Sequence, residues 1–292
     1  MLKKVYIIII TSIVLYGCSD SNQMKTLGEN EYYIGERLAS VSADADSTFW
    51  IGGESGKIWH VDGNKVSAYI TGTDRIYKIA THPNASGDTT CWLGGRNSGF
   101  QKWRLHKGKM QHEQTYGILF KDKEYSAYDF AITPNGIFVA TSQGLYLQRN
   151  DNSFSLLYPA LDSPTAKAGM PHIIYNLCPY GQNYLFAASI DGLLRIDLKS
   201  GKISRLHKGE KVQYVTVYGD EVCSLSGKRI YIEDASGKSI KTIDLPFIPR
   251  FYYRVGKVHY ILRSHSMVIS EDLKHFITIP DRKSTRLNSS HW

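Results

Sequence analysis

The sequence of 292 residues has few cysteines. There are four, and Cys18 belongs to an N-terminal segment described below, so that an odd number remains in the rest of the chain. An odd set of three does not make a disulfide framework. We therefore expect Cys91, Cys178 and Cys223 to be small, reduced side chains, most of them in the interior.

Catalytic signatures are also missing. The sequence has no nucleophile elbow and no His-Glu-x-x-His pair, and its ten histidines show no metal-ligand spacing. Two segments, Gly53–Lys57 and Ala235–Ser239, look like parts of a phosphate-binding loop, but both lack the upstream glycine. We interpret them as hairpin turns. These absences predict that the chain as given is not an enzyme and holds neither a metal nor a cofactor.

The chain lacks an apolar run long enough to span a bilayer comfortably, and its mature part lacks a convincing amphipathic helix. Its N-terminus has a basic start at Met1–Lys4, an apolar stretch at Val5–Val14, and a Leu15–Cys18 segment that resembles a lipoprotein box. This pattern predicts a signal peptide at 1–17, a lipidated Cys18 and a polar tether over 18–36. The protein would be exported and membrane-anchored, either periplasmic or on the cell surface.

The net charge of the chain between its two terminal segments is modest. The formal charge is +8, and half of this excess lies in the two terminal segments. The remaining charges are spread along the chain and form no dense basic run. This distribution does not indicate a nucleic-acid partner for this region.

What the chain does have is a repeated phrase. An aromatic residue opens a strand, small residues follow, and a glycine-containing turn leads into a second strand. Its copies, the last two weaker, begin at Trp50, Trp92, Phe138, Phe186, Cys223 and Tyr260. With one strand before and one after each phrase, the repeat describes a four-stranded blade. We predict an all-β fold, a β-propeller over 37–280 with about six visible blades, as an incomplete seven-bladed propeller.

The phrases Trp50–Gly53 and Trp92–Gly95 carry a family resemblance. The repeat resembles the two-component regulator propeller repeat, which forms periplasmic sensor regions of Bacteroidetes sensor histidine kinases and regulators. The resemblance implies an extracytoplasmic ligand-sensing domain, with a saccharide or other small molecule as the candidate ligand. The full-length parent would then be a histidine kinase or regulator, and a homodimer of that parent stays open.

The C-terminal segment 281–292 departs from the repeat. Its residues Asp281–His291 resemble the translation of a common sequencing adapter and break the apolar pattern of Phe276–Pro280. We expect the natural protein to continue past Pro280. The alternative is a genuine basic tail, although such tails normally carry denser charge.

A tyrosine recurs in the strand that precedes each phrase. If that strand is the innermost of its blade, these phenols would form a ring at one mouth of the central channel, where they suit a sugar ring. The candidate ligand-binding residues are Tyr77, Lys78, Tyr128, Asp129, Tyr175, Asn176, Tyr214, Tyr253 and Arg254. The alternative is that the tyrosines are core residues wedged between blades.

Three functions are compatible with these observations. The first is the sensor domain that the resemblance implies. The second is a stand-alone lipid-anchored propeller for glycan binding or envelope assembly. The third is a propeller hydrolase or lyase, which would require carboxylates buried together in the channel. The gene sequence beyond codon 280 separates the first hypothesis from the others.

Overall fold

The computed structural model describes most of the chain between residues 25 and 280. The described ranges are 25–28, 31–33, 38–45, 48–63, 65–96, 98–117, 119–120, 123–124, 126–148, 153–159, 172–264 and 266–280. The predicted signal peptide, Cys18 and the adapter-like segment lie outside them. Within the range predicted as a tether, two short strands pair with each other, β1 (Lys25–Gly28) and β2 (Glu31–Tyr33). Among the described residues, no helix has the length and hydropathy needed to cross a membrane.

The remaining strands form six four-stranded sheets, called blades 1 to 6 here, in which each strand pairs with the next along the chain. Two compact units contain them, Met1–Ala127 and Tyr128–Trp292. In the first unit, blade 1 contains β3 (Leu38–Ala45), β4 (Thr48–Gly53), β5 (Lys57–Asp62) and β6 (Lys65–Ile70), and blade 2 contains β7 (Ile76–Pro83), β8 (Thr89–Gly95), β9 (Phe100–His106) and β10 (Lys109–Tyr116). A short pair, β11 (Leu119–Phe120) and β12 (Lys123–Glu124), follows.

The second unit holds the other four blades, although the first strand of blade 3 begins one residue earlier. Blade 3 contains β13 (Ala127–Thr133), β14 (Gly136–Thr141), β15 (Gly144–Gln148) and β16 (Phe154–Tyr158), and blade 4 contains β17 (Ile174–Tyr180), β18 (Tyr184–Ser189), β19 (Gly192–Asp197) and β20 (Ile203–Leu206). Blade 5 contains β21 (Val212–Tyr218), β22 (Glu221–Ser226), β23 (Arg229–Glu233) and β24 (Ser239–Asp244), and blade 6 contains β25 (Phe251–Val255), β26 (Val258–Leu262), β27 (Ser266–Ser270) and β28 (Ile277–Pro280). The predicted six four-stranded units are confirmed, and the seventh blade stays a prediction.

The repeated phrase supplies the second and third strands of each blade, and in blades 1, 3, 4 and 5 every residue of the second strand after the first is buried. In blade 4, Leu185 and Ala187 pack with Phe138 of blade 3, whereas Phe186 packs with Val215 of blade 5. Because successive strand residues point to opposite faces, one apolar strand fills two inter-blade cores. In the first unit, Trp50 of blade 1 packs in the same way with Ile76 and Leu93 of blade 2.

The glycine that opens the third strand is required by packing as well as by backbone geometry. Gly144 and Gly192 have φ values of 142° and 134°, and an added Cβ would lie 2.1 Å and 2.5 Å from the carbonyl oxygens of Tyr158 and Leu206. These carbonyls end the fourth strand of the same blade, so the glycine lets the outer strand close onto the hairpin. In blade 5, Gly227 has a φ of 57° but open space around it.

The three described cysteines are reduced. Cys91 and Cys223 are buried in strands, and Cys178 is half-buried. Burial raises the pKa of the Cys223 thiol to about 12. At neutral pH this thiol is therefore protonated, as expected of a small core residue.

Candidate functional site

The first strand of several blades carries a β-bulge. The pairing register shifts between Ile76 and Lys78, between Ile174 and Asn176, and between Val212 and Tyr214. The extra residues are Tyr77 in blade 2, Tyr175 in blade 4 and Gln213 in blade 5. A bulge leaves its extra residue out of the ladder and re-aims its side chain, a device that is common beside functional sites.

The register corrects part of the predicted ring of tyrosines. Tyr77 and Tyr175 occupy matching bulge positions, but Tyr214 stands one position later, in the place of Asn176. Tyr253 also does not match the position of Tyr77 and Tyr175, because β25 has no bulge. It pairs with β26 without interruption, from Phe251 opposite Leu262 to Val255 opposite Val258. The prediction that all these tyrosines occupy equivalent positions was wrong. At Gln213-Tyr214 and at Tyr252-Tyr253, the sequence is compatible with two strand registers that differ by one residue. The register observed is the one that buries Val215 and Tyr252.

The two bulge tyrosines share a second feature. Each ring is half-buried and has a cation over its face. The guanidinium carbon of Arg75 lies 5.0 Å from the centre of the Tyr77 ring, and the ammonium nitrogen of Lys211 lies 5.1 Å from the centre of the Tyr175 ring. A cation at this distance is attracted to the ring and restricts its orientation. Tyr128 of blade 3 is also half-buried and directly precedes Asp129, as Tyr175 precedes Asn176.

The side chain of Asp129 joins blade 3 to blade 4 by accepting hydrogen bonds from blade 4. Its side chain is only 4% exposed. One carboxylate oxygen accepts from its neighbour Phe130 N at 2.8 Å, and the other accepts from Leu177 N at 2.9 Å and from Asn176 Nδ2 at 3.1 Å. The unpaired edge of the first strand of blade 4 thus finds its acceptor in the preceding blade.

Asn176 repeats this arrangement at the next interface. Its Oδ1 accepts a hydrogen bond of 2.7 Å from the backbone N–H of Val215 in blade 5. At the bulge of blade 5, Gln213 Nε2 donates to the carbonyl of Pro249 at 2.7 Å. The structure therefore brings Asp129 and Asn176 together as a chain of inter-blade hydrogen bonds. Their predicted role as ligand-binding residues stays a prediction.

Tyr214 packs against blade 6. It makes an edge-to-face contact with Phe251, with ring centres 5.3 Å apart, and burial raises the pKa of its phenol to about 12. Tyr253 contacts Tyr218 of blade 5 at a ring-centre distance of 6.0 Å. Both tyrosines thus lie at the interface between blades 5 and 6, where Tyr214 is half-buried and Tyr253 is 37% exposed.

Arg254, another predicted site residue, lies in the same interface. Its Nη1 is 2.6 Å from a carboxylate oxygen of Glu221, and its guanidinium carbon lies 5.1 Å from the centre of the Tyr218 ring. Desolvation is the largest single influence and lowers the pKa of the Arg254 guanidinium, but the hydrogen bond and charge of Glu221, together with Tyr252 and Cys223, outweigh it, so the pKa is raised. Lys78 follows Tyr77 on β7, is half-buried and belongs to the first unit.

Sequence reasoning missed a polar cluster beside blade 4. Nδ1 of the buried His172 is 2.9 Å from an Asp191 oxygen, which also accepts a 3.5 Å hydrogen bond from the Tyr158 hydroxyl. Arg205 in turn donates to Tyr158 at 3.4 Å. Burial and the Asp191 charge raise the pKa of Tyr158. His172 and Asp191 belong to no motif and are far apart in sequence, so no sequence signal identified them.

The His172–Asp191 pair has the geometry in which a carboxylate orients an imidazole. Within the described ranges, however, His172 makes its hydrogen bond to Asp191 and its ring contact with Tyr158, and its Nε2 is buried without a hydrogen-bond partner. A nucleophile in contact with this imidazole would be needed for acyl-transfer chemistry. Among the residues that the structure describes, no cluster of three or more His, Cys, Asp or Glu side chains is arranged to hold a metal.

Comparison with known proteins identifies the fold alone. The chain matches no family model, and no curated protein matches its sequence. Its structure is similar to the crystal structure of the WD40 β-propeller domain of Doa1, with a TM-score of 0.58, 14% identity, and coverage of 88% of this chain and 84% of that one. A computationally designed protein, Ika8, is similar over 77% of this chain and 67% of its own, with a TM-score of 0.52 and 11% identity. The predicted β-propeller fold is confirmed.

Proposed function

We propose that this propeller is the extracytoplasmic ligand-sensing domain of a two-component signal transduction protein and that its ligand is a saccharide. The propeller fold supports a domain that binds a ligand or another protein. The observation that carries the finer proposal is the pair of matched bulge tyrosines, Tyr77 and Tyr175, each half-buried beneath a cation. At the two interfaces of blade 4, Asp129 and Asn176 make the inter-blade hydrogen bonds given above, so these bonds do not require Tyr175.

A tyrosine held in this way suits a sugar. The flat ring accepts the C–H face of a pyranose, and its hydroxyl and the nearby ammonium of Lys211 offer hydrogen bonds to sugar hydroxyls. The domain would act by binding and would carry out no reaction itself. If ligand binds one arrangement of the propeller and its membrane stem better than another, binding shifts the population towards that arrangement, and this shift is the signal.

The test is saccharide binding to the purified protein by isothermal titration calorimetry, with cellohexaose, xylohexaose and maltohexaose as probes. We expect one of them to bind and Tyr175→Ala to weaken it at least tenfold. Tyr184→Ala is the matched control, because Tyr184 is a half-buried tyrosine of the same blade with a cation, Arg195, 4.4 Å from its ring centre. Equal losses in both variants, or no binding of any probe, would contradict the proposal.

The signalling part of the proposal has a separate test, which is to sequence the gene past codon 280 in the source DNA. We expect an open reading frame that encodes a transmembrane segment and a kinase or regulator domain. A stop codon after one further blade would instead favour the stand-alone lipid-anchored propeller. Lipidation of Cys18 is checked by metabolic labelling with palmitate and a Cys18→Ala control.

A further inference from the structure

A groove lies on the surface of the second unit, among residues of blades 5 and 6 and of the connection between them. Three segments form it: the turn between β22 and β23, the connection from β24 to β25, and the turn between β26 and β27. Its volume of about 380 Å³ is within the range of small-molecule sites. The described lining consists of two cations, three apolar residues and two serines.

Among the described residues, the two cations of this groove have no acidic partner. Lys228 and Arg263 are both exposed, and in the described part of the chain neither has a carboxylate within ion-pairing distance. Neighbouring arginines differ, since Arg229 pairs with Asp244 at 3.2 Å and Arg254 pairs with Glu221. Two uncompensated positive charges on one concave surface attract an anion.

The apolar wall of the groove is fixed in place. Phe247 packs edge-to-face against Phe276, with ring centres 5.2 Å apart, and the guanidinium of Arg263 lies 4.7 Å from the centre of its ring. Ile248 beside it is 52% exposed and adds apolar surface that a ligand can contact. An apolar surface held beside two cations favours a ligand with an anionic group and an apolar face.

Backbone hydrogen bonds hold the three segments together. Leu245 N donates to the Lys228 carbonyl, and Arg250 N donates to the carbonyl of Leu262, next to Arg263, both at 2.8 Å. The groove therefore exists before any ligand arrives, and little ordering free energy is lost on binding. The hydroxyls of Ser264 and Ser266 add donors and acceptors at the rim that suit a polyhydroxylated ligand.

We infer that this groove binds an anionic monosaccharide, and that it is a second binding site independent of Tyr77 and Tyr175. The carboxylate or phosphate lies between Lys228 and Arg263, the C–H face of the sugar packs on Ile248, and its hydroxyls bond to the serines. Arginine forms two parallel hydrogen bonds to either anion, so sugar acids and sugar phosphates share the chemistry that the groove recognises.

The test is calorimetric titration of the purified protein with D-glucuronate, glucose 6-phosphate and glucose at low ionic strength. We expect at least one of the two anions to bind at least tenfold more tightly than glucose, and the tighter of them to identify the natural anion. Raising the salt concentration should weaken that binding, because the cations are exposed. Binding of glucose with the same affinity, or no binding of either anion, would overturn the inference.

Variants locate the site. We expect Lys228→Gln and Arg263→Gln each to weaken binding of the anion at least fivefold without changing the melting temperature, since both side chains are exposed. Lys257→Gln, an exposed lysine in the turn between β25 and β26, should have no effect. Tyr175→Ala should also leave anion binding intact. Loss of anion binding in Tyr175→Ala would refute a separate groove site without touching the proposed function, and failure of the neutral saccharide probes would leave the groove site standing.

Discussion

Blade 4 and blade 6 have the same four-stranded order but different burial. In blade 4, Leu185 and Phe186 on the second strand are fully buried, one on each face. In blade 6, Ile261 is buried, but Phe251 on the first strand is 52% exposed and Ile277 on the fourth is 71% exposed. Blade 4, which contains a clear copy of the sequence repeat, thus buries apolar residues on both faces, whereas blade 6, which contains one of the two weaker copies, leaves apolar side chains of its first and fourth strands exposed.

The two blades also differ in how their first strands join the preceding blade. The first strand of blade 4 has a bulge, and a carboxylate of blade 3 binds its backbone. That of blade 6 is regular, and the Tyr218 hydroxyl donates to the carbonyl of Tyr252, whose ring is fully buried. In blade 4, polar side chains make the inter-blade hydrogen bonds and Tyr175 remains half-buried. In blade 6, a tyrosine hydroxyl makes the hydrogen bond and Tyr252 is a core residue.

The largest expected effect is that of Asp129→Ala. Two backbone N–H groups lose their acceptor, and an unsatisfied buried donor costs ~2 kcal/mol, so the free energy of unfolding should fall by about 4 kcal/mol. Urea denaturation followed by fluorescence measures it. Asp244→Ala, which removes a well-exposed carboxylate, should change stability by less than about 1 kcal/mol. Similar losses in both variants would contradict the role given to Asp129.

The next largest expected effect is a difference in stability cost between two hairpin glycines, Gly192 of blade 4 and Gly227 of blade 5. Gly192→Ala should cost about 3 kcal/mol, because the new methyl group meets the Leu206 carbonyl and the backbone has a positive φ. Gly227→Ala in blade 5 has the backbone penalty alone, about 1 kcal/mol. Thermal unfolding of the two variants compares them directly. Equal costs would mean that the outer strand does not constrain the hairpin.

The smallest expected effect is a pH dependence of stability. Burial, followed by the Arg254 charge, lowers the pKa of His259, whose Nδ1 is 2.7 Å from the Tyr252 hydroxyl. The folded-state pKa is thus below the unfolded value near 6.5. The unfolded state binds the proton more readily, and the stabilisation present above pH 6.5 is lost as pH falls through the folded pKa.

Hydrogen exchange at pH 7.5 and pH 5.5 tests this effect. After correction for the intrinsic pH dependence of exchange, protection of β25 and β26 should decline roughly threefold at the lower pH, while that of β17 and β18 is unchanged. His259→Gln should remove the decline. The control is His275→Gln, because the His275 side chain is highly exposed on the same blade. A decline that persists in His259→Gln would assign the pH dependence to another group.

The sequence predicted the blades well, because each depends on short-range features: alternating strands, small residues and a glycine turn at regular intervals. It placed Tyr175, Tyr214 and Tyr253 in the first strands of their blades, but it did not predict the register of Tyr214 and Tyr253. The phase of a first strand depends on which residue packs on the neighbouring blade, and that choice is made by contacts about 40 residues away in sequence. The His172–Asp191 pair was missed for the same reason, since a turn and a connection meet only in the folded blade.

The most direct test of the central claim compares Tyr175→Ala with Asn176→Ala, two neighbours on one strand. Each variant is measured for affinity towards the tightest saccharide probe and for free energy of unfolding. We predict that Tyr175→Ala loses at least tenfold in affinity with little change in stability. Asn176→Ala should lose about 2 kcal/mol of stability, because Val215 N loses its acceptor, and should retain affinity. The reverse result, with binding lost through Asn176 and stability lost through Tyr175, would contradict the account.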